Sequence, residues 1–95
     1  MTTSVFYQES LACIDQAMMM RPDIIVFIGG DIPRDYPRQD DLLKVGKACK
    51  AKGQDYLWVS QKEHISRAFE TFNKPGTRYV EVDLNNLSVS GVQTN

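Results

Sequence analysis

Asp23-Ile24-Ile25-Val26-Phe27-Ile28-Gly29-Gly30-Asp31 is the stretch whose reading decides the fold. Its five consecutive apolar residues, mostly β-branched, show no period-2 alternation. The strand they form is therefore expected to bury both faces, as in the middle of a parallel α/β sheet. The Gly-Gly pair suits a tight turn from strand to loop.

Upstream, Ser4 to Met20 reads as a helix, with Phe6, Leu11, Ile14 and Met18 at 3–4 residue spacing and Glu9, Asp15 and Gln16 off that line. Cys13, Ala17 and Met20 widen the apolar stripe. The run Met18-Met19-Met20 covers more of the circumference than one sheet contact requires, which fits a buried helix end or, for Met18 and Met19, a partner contact. Arg21-Pro22 ends the helix, because proline disfavours the α conformation in the residue before it.

Downstream, Asp31-Ile32-Pro33-Arg34-Asp35-Tyr36-Pro37-Arg38 alternates charges with prolines and reads as a stiff, exposed loop. A pre-set backbone loses little entropy on docking, so Asp31, Arg34, Asp35, Tyr36 and Arg38 are candidate partner contacts. Asp40 and Asp41 open a second helix and Lys47, Lys50 and Lys52 crowd its end, as the helix dipole favours, with Gly53 placed to stop it. Leu42, Val45 and Cys49 form its inner face, with Leu43 alongside. Lys44, Lys47 and Lys50 make a basic line at i, i+3, i+6, which reads as a solvated face.

Tyr56-Leu57-Trp58-Val59 is a second nearly continuous apolar strand and is expected inside the sheet. Ser60-Gln61-Lys62-Glu63 has the spacing of a capping box for a third helix, whose core face is Ile65, Ala68, Phe69 and Phe72. Asn73-Lys74-Pro75-Gly76 stops that helix. Arg78 to Leu84 alternates Val80, Val82 and Leu84 with Tyr79, Glu81 and Asp83, so a half-exposed edge strand is expected. Asn85-Asn86 can turn a C-terminal hairpin into Leu87-Ser88-Val89, and residues 90–95 read as a polar, flexible tail.

The expected fold is one α/β domain over residues 1–95, a small open three-layer sandwich in the order α-β-α-β-α-β with a mainly parallel sheet of three strands. Ninety-five residues support one modest core; hydrophobic content of 42%, charged content of 24% and a formal net charge of -1 offer no broad attraction to nucleic acid or anionic membrane. The two cysteines, Cys13 and Cys49, fall on apolar helix faces, as buried reduced thiols do. With no signal-like or membrane-length apolar run, a cytoplasmic location is expected. The half-exposed strand and the methionines predict a homo-oligomer.

No catalytic set, cofactor site or metal set assembles from these residues. Gly29-Gly30-Asp31 resembles the Gly-Asp box of metallophosphoesterases, yet their several histidine ligands are not supplied by a chain whose one histidine is His64. Residues 21–26 resemble the acceptor strand of response-regulator receivers, but counting back from Pro33 puts Gly29 at the acceptor's place. A deoxyribosyltransferase-type nucleotide enzyme is a further alternative, with Asp40 and Asp41 where its glutamate nucleophile would be sought.

Two further resemblances bear on function. Lys47-Ala48-Cys49-Lys50-Ala51-Lys52-Gly53-Gln54-Asp55-Tyr56-Leu57-Trp58-Val59-Ser60-Gln61-Lys62, with Ile65, Arg67 and Ala68, resembles the helix-strand-helix of the kink-turn RNA-binding ribosomal protein family, and Asp31-Ile32-Pro33 is similar to its strand end. That resemblance implies an RNA-binding module using Lys44, Lys47, Lys50 and Lys62. Its Gly-x-Asn-Glu-x-x-Lys helix start has no counterpart at Tyr7-Gln8-Glu9-Ser10. Arg78-Tyr79 and Asn85-Asn86-Leu87-Ser88-Val89-Ser90-Gly91 resemble a strand-turn-strand segment of the DinI family of DNA-damage-response modulators. That resemblance implies a small regulator of the SOS or phage type, such as an antirepressor that binds and inactivates a transcriptional repressor. The leading expectation is accordingly a non-enzymatic protein-binding regulator.

Overall fold

The computed structural model describes residues 5–29, 38–72 and 75–95, with the backbone alone at Arg38, Gln39 and Phe72. The elements are α1 (Val5–Met18), β1 (Ile24–Ile28), α2 (Arg38–Ala51), β2 (Tyr56–Val59), a 3-10 turn (Lys62–His64), α3 (Ile65–Phe72), β3 (Arg78–Asp83) and β4 (Ser88–Thr94). They build one four-stranded sheet in the order β2-β1-β3-β4. β1 runs parallel to both β2 and β3, and β4 closes the far side antiparallel to β3. The α/β class is as expected, whereas the sheet is mixed and has a fourth strand.

The chain steps from β1 outward to β2, then back across β1 to β3. Right-handed crossovers in opposite directions put their helices on opposite faces. One face carries α1 and α2, whose Phe6, Cys13, Ile14, Ala17, Leu42, Val45 and Cys49 pack on Ile25, Phe27, Val80, Val82 and Leu84. The other carries α3, whose Ile65 and Phe69 cover Val26, Ile28, Leu57 and Val59. β1 thus has both faces buried, as its unbroken apolar run requires.

Two strands exchange the places expected of them. β3, read as an edge, lies inside the sheet between β1 and β4; β2, read as interior, is an edge. The apolar run of β2 reflects two covered faces: Leu57 and Val59 lie beneath α3, while Tyr56 and Trp58 pack around the Phe27 ring, at centroid distances of 5.6 and 4.8 Å. The alternation in β3 reflects one thinly covered face, although both its hydrogen-bonding sides are occupied. Burial of faces and pairing of edges are separate quantities, and periodicity reports the first.

Other differences are local. Residues 90–95 are not a frayed tail, because β4 runs to Thr94, where Val92 pairs with Val80 and Gln93 with Tyr79. The hairpin forms, but its turn spans four residues, 84–87, and the left-handed backbone is at Leu87 (φ 54) rather than at an asparagine. Leu87 accepts that conformation while packing against the α1/α2 core. The capping box does not close: the amino cap of the 3-10 turn is Gln61, with no side-chain bond, and the Ser60 hydroxyl instead meets His64 Nδ1 at 3.1 Å. Leu43, expected beside the buried face of α2, is 69% exposed. The expected core role of the Phe72 side chain lies outside the described residues. Cys13 and Cys49 are free and buried.

Candidate functional site

The topology singles out one rim. Where the chain reverses its stepping direction, between β1 and β3, the carboxyl ends of the strands diverge and leave the place where open α/β sheets bind their partners. Here that place is bounded by Gly29 after β1, Leu84 to Leu87 after β3, and Ser60 to His64 after β2. Backbone bonds tie the rim together, the Gly29 N–H donating to the Val59 carbonyl (3.0 Å) and the Leu84 N–H to the Ile28 carbonyl (3.0 Å).

Gly29 sits at φ +114, and a Cβ there would stand 3.2 Å from Asn85 Oδ1, so the Asn85 carboxamide lies directly on the glycine backbone. A side chain at position 29 would be strained by its backbone and would push Asn85 away. The turn behind Asn85 is held by Asp83, whose carboxylate accepts from the Asn85 N–H (2.9 Å) and from Asn86 Nδ2 (3.1 Å). Aspartate bonding the amide two residues on is an Asx turn, which orders the tip of the hairpin without help from the core.

Next to the rim, on the sheet face that α3 leaves open, is a polar network built on a β-bulge. Between the pairs Val80–Val92 and Val82–Val89, Glu81 alone faces Ser90 and Gly91, and the Ser90 hydroxyl accepts the Glu81 N–H (2.9 Å) in place of a backbone carbonyl. Tyr79 Oη donates to Gln93 Oε1 (3.3 Å), Gln93 Nε2 donates to Glu81 Oε2 (3.0 Å), and Lys62 Nζ stands 3.8 Å from the same oxygen. Glu81 is consequently buried at 6% exposure although it belongs to the polar side of its strand. Burial, and then the Glu81 carboxylate, push the Tyr79 phenol above its ordinary pKa.

The expected site residues are divided by this arrangement. Asp31, Arg34, Asp35 and Tyr36 lie outside the described residues. Arg38 belongs to the first turn of α2, at the carboxyl end of the sheet. Met18 and Met19 close α1 just before β1 and are at the amino end, a strand's length from the Arg38 backbone. Met18 and Met20 pack against the core, and Met19 is 83% exposed. Lys44, Lys47 and Lys50 are exposed on α2, while Lys62 reaches Glu81 on the opposite side of the sheet, so the four lysines do not form one basic surface.

Two exposed apolar residues escaped the sequence reading: Leu43 and Trp58, the latter 37% exposed on the edge strand. For Leu43 there was a signal, since it shares a helical stripe with Lys47 and Lys50 rather than with Leu42 and Val45. Among the described residues no group of three or more His, Cys, Asp or Glu side chains could hold a metal ion, and no helix is long and apolar enough to cross a membrane. Compared with protein-family models, with curated proteins and with solved structures, the chain has no match.

Proposed function

We propose that the chain is a small non-enzymatic regulatory protein that binds another protein at the carboxyl rim of its sheet, in the manner of an antirepressor acting on a transcriptional repressor. One observation carries this reading: Asn85 seated on Gly29 joins the ordered hairpin tip to the end of β1, the strand that the Asp31–Arg38 stretch follows in sequence. Two described segments thereby meet at one rim, and the Asp31–Arg38 stretch that follows in sequence carries arginine and tyrosine, the residues over-represented in interface hot spots. The stretch that resembles the DinI family is a turn followed by β4 in this fold, which supports the same reading.

The test is affinity capture from the native host with and without nuclease, followed by titration of the purified partner. Tyr36→Ala is expected to weaken that complex by about 1–3 kcal/mol while leaving the melting temperature nearly unchanged. Loss of every captured protein on nuclease treatment would replace this reading with RNA binding. An unchanged affinity would remove Tyr36 from the site.

A further inference from the structure

We propose that the free edge of β2 is the interface with a second copy of this chain, the two β2 strands pairing antiparallel about a twofold axis into one eight-stranded sheet. This surface is separate from the carboxyl rim, and its test uses the purified chain alone, so either reading can fail without the other.

The ladder shows which groups are available. The Ile25 N–H donates to the Asp55 carbonyl (2.9 Å) and the Gly29 N–H to the Val59 carbonyl (3.0 Å). In a parallel pair, alternate residues turn their peptide groups toward the neighbouring strand, so residues 55, 57 and 59 face β1 and Tyr56, Trp58 and Ser60 face outward. Among the described residues no strand meets them. An antiparallel pairing centred on Trp58 sets Trp58 opposite Trp58 and Tyr56 opposite Ser60. All three turn donors and acceptors outward, so this register satisfies them mutually. Natural edges are blunted by shortness, charge, proline or a bulge; Tyr56–Val59 is short, at four residues, but has no charge, proline or bulge.

The occupant follows from α2. α1 contacts β3 and β4, so the flank of α2 away from α1 looks over the β2 edge. Gly46 marks that flank, since a Cβ on it would lie 2.8 Å from the Tyr56 hydroxyl. From Tyr56 to Trp58 the strand advances about 6.6 Å, or about four helical residues counted back from Gly46, which brings Leu43 to within about one residue of the level of Trp58. The exposed residues Asp40, Leu43 and Lys47 form one stripe at i, i+3, i+7. A twofold axis passing Leu43 puts the two leucines together and sets Asp40 of each copy against Lys47 of the other, twice. With α2 lying above β1 and β2, one added strand spacing across the axis separates the two α2 helices by about 10 Å, the distance at which helices pack. A surface whose charges and register complement themselves about one axis specifies a second copy rather than an unrelated strand.

Sedimentation equilibrium of the purified chain tests this. A concentration-dependent dimer is expected at micromolar protein. Lys47→Glu should weaken it about tenfold, because two attractive pairs become repulsive, and Asp40→Lys with Lys47→Glu should restore it. All of these positions are exposed, so circular dichroism should be unchanged. A monomer at every concentration overturns the proposal, and so does a dimer indifferent to both the single and the double exchange.

Discussion

The two edges of the sheet are built on opposite terms. At one, β2 is four residues long, free of bulges and aromatic, with Trp58 stacked on the Phe27 ring at 4.8 Å. At the other, β4 is seven residues long and broken by the Ser90–Gly91 bulge, with Ser90 and Gln93 hydrogen-bonded into a network around Glu81. A bulge twists an edge out of register with any incoming strand, whereas a flat apolar edge presents a template. Among the described residues, polar chemistry thus closes one side of the sheet, while an aromatic strand with no further neighbour ends the other.

The largest expected effect comes from removing the floor of the apolar edge. Phe27 is fully buried beneath Tyr56 and Trp58, so Phe27→Ala should cost about 3–5 kcal/mol in denaturant unfolding and loosen β2 first. A cost no greater than that of a surface truncation would break the comparison, by showing that β2 does not rest on the aromatic stack.

Alkaline pH tests the two sides separately. On the α2 side, burial, reinforced by Asp55 and opposed by Lys52, pushes the Cys49 thiol up to about 11 from 9.0, and its Sγ–H points to the Gln54 carbonyl at 3.5 Å. The unfolded chain gives up this proton near pH 9 and the folded chain holds it longer. The stabilisation is therefore complete below pH 9 and is lost as pH rises through the folded value, by roughly 3 kcal/mol at most. Cys49→Ala should flatten the fall measured by urea unfolding between pH 9 and 11. The smaller slope that remains is expected to include Tyr79, whose phenol is also raised and sits beside β4.

The polar edge should give the smallest of the three changes in stability. Ser90→Ala deprives the Glu81 N–H of its acceptor, and an orphaned, partly buried amide costs about 1–3 kcal/mol, toward the lower end where water can reach it. Amide exchange at Glu81 should accelerate more than that at Val82. Equal rates would mean that Ser90 is an ornament of the bulge and not its closure.

These contrasts also set what could be read in advance. β1 was legible because nothing but burial on both faces produces five unbroken apolar residues. The positions of β2 and β3 were not, since hydrophobic periodicity records what covers a strand and carries no signal for which neighbour takes its hydrogen bonds. Glu81 read as a solvent-facing residue because the groups that bury it, Lys62 and Gln93, come from elsewhere in the chain. Leu43 is misplaced by the sequence reading although its helical angle is in plain view, and Trp58 because a nearly continuous apolar run suits an edge strand covered on both faces as well as an interior one. The division of Met18 and Met19 from Arg38 required the topology itself, as adjacency in sequence to one strand says nothing about which of its ends a residue occupies.

The central strand carries a last consequence. β1 is anchored at its start by residues far ahead of it: the Asp23 N–H donates to the Arg78 carbonyl (2.8 Å), the Arg78 N–H returns to Asp23 Oδ2 (2.9 Å), and the Arg78 guanidinium reaches the Met20 carbonyl (3.3 Å). During synthesis β1 is thus made well before its second neighbour, β3, arrives. Such distant pairing raises the contact order, which slows folding. Until then, its most apolar segment depends on β2 and the helices for shelter.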